Sequence, residues 1–444
     1  MGGLVQASRA LSVRLPNTTV KRTAGAEWTI VAELKTLTSH LDWLEAQYDE
    51  MVANLAYLAN INSGSYNIVG LERIAAELSH LFGGLGGQVH RVALEPTVRI
   101  GDDGEPRVCE FGPLLNVYKH PSAPLRVLLV GHMDTVFGTE HAFQRVERVS
   151  PTQLKGPGVA DLKGGLLVML KALECLERSP WAGRLGWEVV LNPDEELGSP
   201  GSAAHLRAAA GRNHLGLVYE PAMANGALAA ARKGSGNFTA VVRGRAAHAG
   251  REHHLGRNAL RAAADFLIAV DELNARRSGV TVNPGFIRGG GPVNVVPDRA
   301  VVRFNIRLSD PVDEAWVLER LAAINQVINA RDGITLALHG DFGRKPKVLD
   351  AAHRRLFDWV RRCGRTLGLN ITWRDTGGCC DGNNLSAAGL PNIDTMGVIG
   401  GGLHSVDEYV ELPSLIERSR LSALLLLGLA SGRCDGAAFK GEAP

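Results

Sequence analysis

The chain has 444 residues, 45% hydrophobic and 21% charged, an ordinary make-up for a soluble globular protein and too long for one core, so two domains are expected. Lys plus Arg number 48 against 46 Asp plus Glu, which excludes the bulk charge imbalance that nucleic acid or an anionic membrane would call for. The six Cys (Cys109, Cys175, Cys363, Cys379, Cys380 and Cys434) contain no CxxC pair, which excludes a disulfide scaffold and argues against a Cys-type zinc site.

In chain order, residues 1–22 carry Arg9, Arg14, Lys21 and Arg22 without an acid, but lack the apolar stretch of a secretory signal. A loosely packed arm over 1–26 is expected, with a transit peptide as the alternative. Leucines and other apolar residues at three- and four-residue spacings predict a helix over 27–61, and a second over 68–85 closed by glycines. Val127–Val130 form an apolar run, as for a strand buried on both faces. A helix over 164–176, a strand over 187–191, a helix over 202–210 and a strand over 215–219 follow. Strand and helix alternating in this way predict an α/β unit with a mainly parallel sheet flanked by helices. From Lys233 the pattern changes to β-α-β-β-α-β: strands at 237–244, 286–291, 300–307 and 334–338, helices at 257–273 and 315–328. That order suits an inserted, ferredoxin-like α+β domain over 233–343. Residues 1–232 and 344–444 then make up the other domain, which ends in helices over 351–367 and 412–429 around a short strand at 371–374. The 421–429 stretch is too short to span a bilayer, so no membrane is expected and the cytoplasm is the default compartment.

The chemistry lies at the ends of the apolar runs. VLLVGHMDTVFG (127–138) places His132 and Asp134 two residues apart, on one side of an extended chain. Asp134 can hold the second nitrogen of the imidazole; a surface pair is the alternative. In GPGVADLKGG (156–165), Asp161 can cap a helix or bridge two cations. LNPDEELGSPGS (191–202) sets three acids in a row, which repel unless neutralised. Two jobs fit them: one carboxylate ligates metal, and another takes a proton from the attacking water and returns it to the leaving nitrogen. A solvated acidic turn is the bland alternative. Glu220 ends another strand, stopped by Pro221. His404 follows Gly400–Gly402, where glycine allows close backbone approach to a bound group. Counted together, His132, Asp161 and Glu220 can hold one divalent ion. Asp161, Glu196 and His404 can hold a second, with Glu195 left as the base. Such donors suit zinc, and also cobalt or manganese.

With these motifs in their order and spacing, GHMDTVFG, GPGVADLKGG, DEELGSPGS, YEP and GGGLHS, the chain resembles the co-catalytic metallohydrolases. These include aminoacylase, acetylornithine deacetylase, succinyl-diaminopimelate desuccinylase and, nearest, glutamate carboxypeptidase. The resemblance runs from about residue 115 to 429. It implies a zinc-exopeptidase-like catalytic domain, two zinc ions bridged by Asp161, Glu195 as general base and Asp134 as the clamp on His132. It also implies that the inserted domain acts as lid and dimer contact. His248 in GRAAHAG matches the His that polarises the scissile carbonyl, often from the partner subunit. Asn294 in GGPVNVVPD matches a substrate-contacting Asn, and Arg307 in RFNIR the Arg that grips the substrate carboxylate. The 376–382 loop, with Gly378, resembles the family's Gly-rich substrate loop, and Gly402 belongs with it as a substrate-side glycine. Cys379-Cys380 depart from the family there and are expected to line the pocket. The implied reaction is metal-dependent hydrolysis of an amide bond beside a free carboxylate, carboxypeptidase-like, on a small peptide or N-acyl amino acid. A deacylase or dipeptidase is the alternative. A non-catalytic binding homologue would have lost a ligand or the base, and this chain has lost none.

Overall fold

The computed structural model describes residues 31–439. The arm expected over 1–26 and the first residues of the 27–61 helix lie outside the described residues. The rest of that segment is not one helix. A 3-10 helix, Thr38–Gln47, precedes an α-helix, Tyr48–Ala59. The cause is local: Thr36 Oγ1 donates to the Glu33 carbonyl and Thr38 Oγ1 to that of Lys35, and such side-chain bonds compete with the helical ladder.

The large sheet has six strands in the order Gln88–Val92, Leu114–Lys119, Leu185–Asn192, Leu125–His132, Leu215–Val218, Asn392–Ile393. The first two pairings are antiparallel and the other three parallel. Every residue of Leu185–Asn192 is buried, because helices cover both faces. Val127, Leu129, Val189, Leu191 and Leu217 pack toward the helices Gly165–Glu177 and Pro413–Ala430. Their alternates Leu128, Val130, Val190 and Val218 pack toward Ala203–Arg212 and Asp381–Ala387. Parallel strands end on one side. That is where His132, the Asp194–Glu196 turn and Glu220 come out, in the usual place for a site in such a sheet.

Between residues 234 and 344 runs a four-stranded antiparallel sheet in the order Val280–Gly289, Arg299–Leu308, Gly234–Arg243, Thr335–Arg344. Helices Ala259–Asp271 and Asp313–Asn329 cover one face, with a cluster of their own that includes Phe238, Phe266, Phe304, Val317 and Leu321. The opposite face, largely polar, looks back at the first unit. A hairpin that the sequence reading passed over, Thr97–Ile100 with Pro106–Cys109, reaches across to it. Among the described residues no helix is long and apolar enough to cross a membrane.

Candidate metal centre

His132 ends its strand with Nε2 3.0 Å from Asp161 Oδ1 and 3.9 Å from Glu220 Oε1. His404 Nε2 lies 3.3 Å from Asp161 Oδ2 and 3.2 Å from Glu196 Oε2. The five side chains thus fall into two groups that share Asp161 through its two oxygens. Donor atoms of His132, Asp161 and Glu196 all lie within 4.8 Å of one another. His404 has φ 60° and Gly402 φ 66°. A Cβ on Gly402 would sit 2.3 Å from the Asp407 carbonyl oxygen, so only glycine lets the loop turn His404 toward the acids.

Protein groups alone do not balance this cluster. Burial pushes Glu196 up to about 7. Burial, with Asp161 and Glu195 nearby, holds Glu220 well above the carboxylate range. Glu220 Oε1 is buried without a hydrogen-bond partner. His404 is pushed up to about 11 by its contacts with Asp161 and Glu196. Burial alone would lower His132, yet Asp134 and Asp161 raise it well above its ordinary value. A divalent cation among these oxygens reverses that charge balance, and an all-oxygen and imidazole donor set suits zinc, cobalt or manganese.

The supports are specific. His132 Nδ1 is 3.0 Å from the backbone oxygen of Asp134 and 3.3 Å from its Oδ1, so the main chain holds the ring at least as closely as the carboxylate. That carboxylate accepts from Ser65 Oγ at 2.7 Å and from the amides of Glu195 and Glu196 at 3.2 and 3.1 Å. It therefore fixes the Glu195–Glu196 turn as well. Asp194, the third acid, accepts from Ser202 Oγ and from the amides of Gly201 and Ser202, and so pins the start of the following helix. Three residues missed by sequence reasoning complete the frame. Glu408 accepts from the amides of Gly158, Ala160 and Asp161, each at 3.0 Å. Arg344 donates to Glu195 Oε1 at 2.5 Å and Ser199 Oγ at 2.9 Å, and its Nη2 lies 3.4 Å from Asp381 Oδ1. Asp381 also accepts from Ser199 and Asn192. Nothing local in the sequence flags Glu408 or Arg344: the amides Glu408 serves lie more than 200 residues away, and the Arg344 partners Glu195 and Asp381 lie 149 and 37 residues away.

A cavity of about 610 Å³ opens on the centre, lined by Glu195, Glu196, His404, Arg307, Arg344 and Cys379 among others. Arg307 Nη1 donates to Cys379 Sγ at 3.1 Å and Nε to Asn305 Oδ1 at 2.8 Å. Cys380 does not share in the lining. It is 2% exposed, packs in the core and caps the Asp381–Ala387 helix. Gly378 is exposed in the same loop. His248 and Asn294 lie apart from this cavity. They sit together on an exposed part of the 234–344 unit, where the Ala249 amide donates to the Asn294 carbonyl.

Residues 128–428, more than half of the chain, match peptidase family M20/M25/M40. The chain belongs to that family. It is a metal-dependent hydrolase. It is 29% identical over 317 residues to carboxypeptidase G2 of Pseudomonas sp. (strain RS-16), covering 69% of this chain and 74% of that one. It is 26% identical over 345 residues to the succinyl-diaminopimelate desuccinylase of Hahella chejuensis, covering 72% and 87%. The fold is shared with an M20 family metallo-carboxypeptidase from Sulfolobus solfataricus at TM-score 0.67 and 14% identity, over 85% of this chain and 98% of that one.

Proposed function

We propose that this M20 protein releases a C-terminal amino acid, glutamate or a similar one, from a small peptide or N-acyl amino acid. The observation that carries this reading is Asp161, whose two oxygens face His132 and His404 separately, with Glu195 lining the same cavity as His404 and Glu196. His132, Asp161 and Glu220 would hold one divalent ion and Asp161, Glu196 and His404 the other, zinc by preference. Ions held there would supply Lewis acidity, which polarises a scissile carbonyl and lowers the pKa of the attacking water. Glu195 takes the proton of that water and returns it to the departing amine. Asp134 steadies His132 and the Glu195 turn. The Arg307 fork grips the free carboxylate, which suits a guanidinium in two places; Gly378, exposed in its loop, leaves room for the substrate backbone, and Gly402 serves through the turn that brings His404 to the site. The likeness to a desuccinylase supports a second reading, an N-acyl amino acid deacylase, and a dipeptidase shares the same chemistry.

His248 and Asn294, set apart from their own cavity, would act on the partner's in a homodimer built through the 234–344 unit. Six unpaired cysteines suit a reducing cytoplasm. The test is a panel of N-acyl amino acids and dipeptides assayed with Zn²⁺, Co²⁺ or Mn²⁺ after dialysis against a chelator. Activity should vanish with the metal and return with it. The Glu195→Gln protein should keep its metal and lose turnover by several orders of magnitude; retained turnover would falsify the assignment.

A further inference from the structure

The polar face of the 234–344 sheet is ordered in rows across its strands. Strand register sets Thr281, Arg307, Ser235 and Arg344 in one row, at the metal cavity. Next come Asn283, Asn305, Asn237 and Asp341, and after them Arg303, Thr239 and His339. In the fourth row Val301 and Val241 also face outward, yet they are only 1% and 4% exposed. The tip of the 97–109 hairpin covers them. Gly104 has φ 78°, and a Cβ there would come within 2.9 Å of Val241.

Charges tie the tip down. Asp102 pairs with Arg303 at 2.7 Å and Arg288 at 3.5 Å, and Glu105 with Arg243 at 3.0 Å and Arg299 at 3.1 Å. Arg299 and Arg303 also donate to the carbonyls of Asp103 and Ile100. Single exposed pairs are weak, but four pairs on one tip over two buried valines act together. Between tip and metal centre lies a cavity of about 850 Å³ that shares Leu197, Pro200 and Asn237 with the catalytic one. Tyr66, with the Arg99 guanidinium 5.0 Å over its ring, forms the opposite wall.

We propose that this cavity is a second substrate subsite, which takes the acyl arm, and that the hairpin closes its far end. The inference rests on the function proposed above. If Arg307 ends one arm of the substrate at the carboxylate, the passage past Leu197 and Pro200 is left for the other. Asn305 is engaged by its neighbours Asn237 and Arg307, but the side-chain amide nitrogen of Asn237 and the side chain of Asn283 line the cavity beside it and offer polar partners to an arm that carries amide groups of its own, so the class is a short peptidyl group. From the Arg307 row to the last open row, that of Arg303, is four residues of strand, about 13 Å. An extended chain advances about 3.3–3.6 Å per residue, so the substrate spans roughly four residues, the released one included, and the arm is limited to roughly three.

The experiment compares acetylated alanyl peptides with arms of one, two, four and eight residues, all ending in the amino acid released fastest. The holoenzyme should hold kcat/KM through the short arms and lose at least about tenfold at eight. Replacing residues 99–107 with Asn-Gly, a two-residue hairpin turn, should abolish that loss. If this variant does not fold, Asp102→Asn/Glu105→Gln should weaken the cut-off in its place. A holoenzyme indifferent to arm length, or a hairpin variant that keeps the cut-off, overturns the proposal. If no peptide is cleaved at all, the proposed function fails instead. Affinities of the same series for metal-loaded Glu195→Gln then decide the length limit alone, by the same tenfold criterion.

Discussion

Arg344 lends one guanidinium to two buried acids, Glu195 and Asp381. Burial raises the pKa of Glu195 and Arg344 lowers it. Taking the cation away therefore raises it further, and a base of higher pKa is protonated over more of the acid range. Arg344→Gln should thus move the acid limb of the kcat/KM profile to higher pH, and an unmoved limb in pH–rate measurements would show that Glu195 is not the base being read. Glu408 acts at one remove, by collecting three amides of the Asp161 loop. Glu408→Ala leaves that loop without its anchor, and metal affinity should fall by about 10–100-fold, as for other residues that orient ligands. Competition with a chelating dye measures it; unchanged affinity would mean that the loop holds itself. The candidate ligands stand out in the sequence because each interrupts or ends an apolar run, where a charge is costly. Glu408 and Arg344 do not stand out, because the amides and acids they serve are distant in sequence and only the fold brings them near.

At the level of elements, the same contrast follows burial. The helix Pro413–Ala430 is buried along nearly its whole length, and its run of leucines announces it. Leu425 is 0% exposed in the core under the large sheet. Leu425→Ala should cost about 2–5 kcal/mol, read as a lower denaturation midpoint, while the metal affinity of the folded fraction stays unchanged. A loss below about 1 kcal/mol would mean that the neighbouring helices collapse into the gap. The buried parallel strands were legible for the same reason. Two things were not. The 27–61 segment has helical spacing, but its threonines divert the backbone. The 97–109 hairpin is mostly exposed on both strands, so it lacks the clean alternation that marks a half-buried strand, although Asp-Asp-Gly between two short β-rich stretches is a turn signal that could have been used.

The whole molecule raises the question of where its catalytic parts reside. Within one chain Glu196 and His404 of the metal cluster line one cavity with Glu195 and Arg307, while His248 and Asn294 lie outside it. If the protein is a two-fold homodimer, that separation is removed by symmetry, since whatever one subunit lends the other it also receives. The consequence can be tested by mixing two dead proteins. Glu195→Gln lacks the base but carries His248; His248→Ala lacks the imidazole but carries the base. Refolded together at equal amounts, half the dimers are mixed. In each of these, the site on the His248→Ala chain has its own Glu195 and receives His248 from its neighbour. Activity should return to about a quarter of wild type, because one site in two works in one dimer in two. If His248 serves no chain, His248→Ala is active before any mixing; if it serves its own chain, no combination of these subunits builds a complete site and the mixture stays as inactive as its parts. Sedimentation of the same mixture separates that result from a failure to form dimers, since a monomer would remove the idea of a borrowed histidine outright.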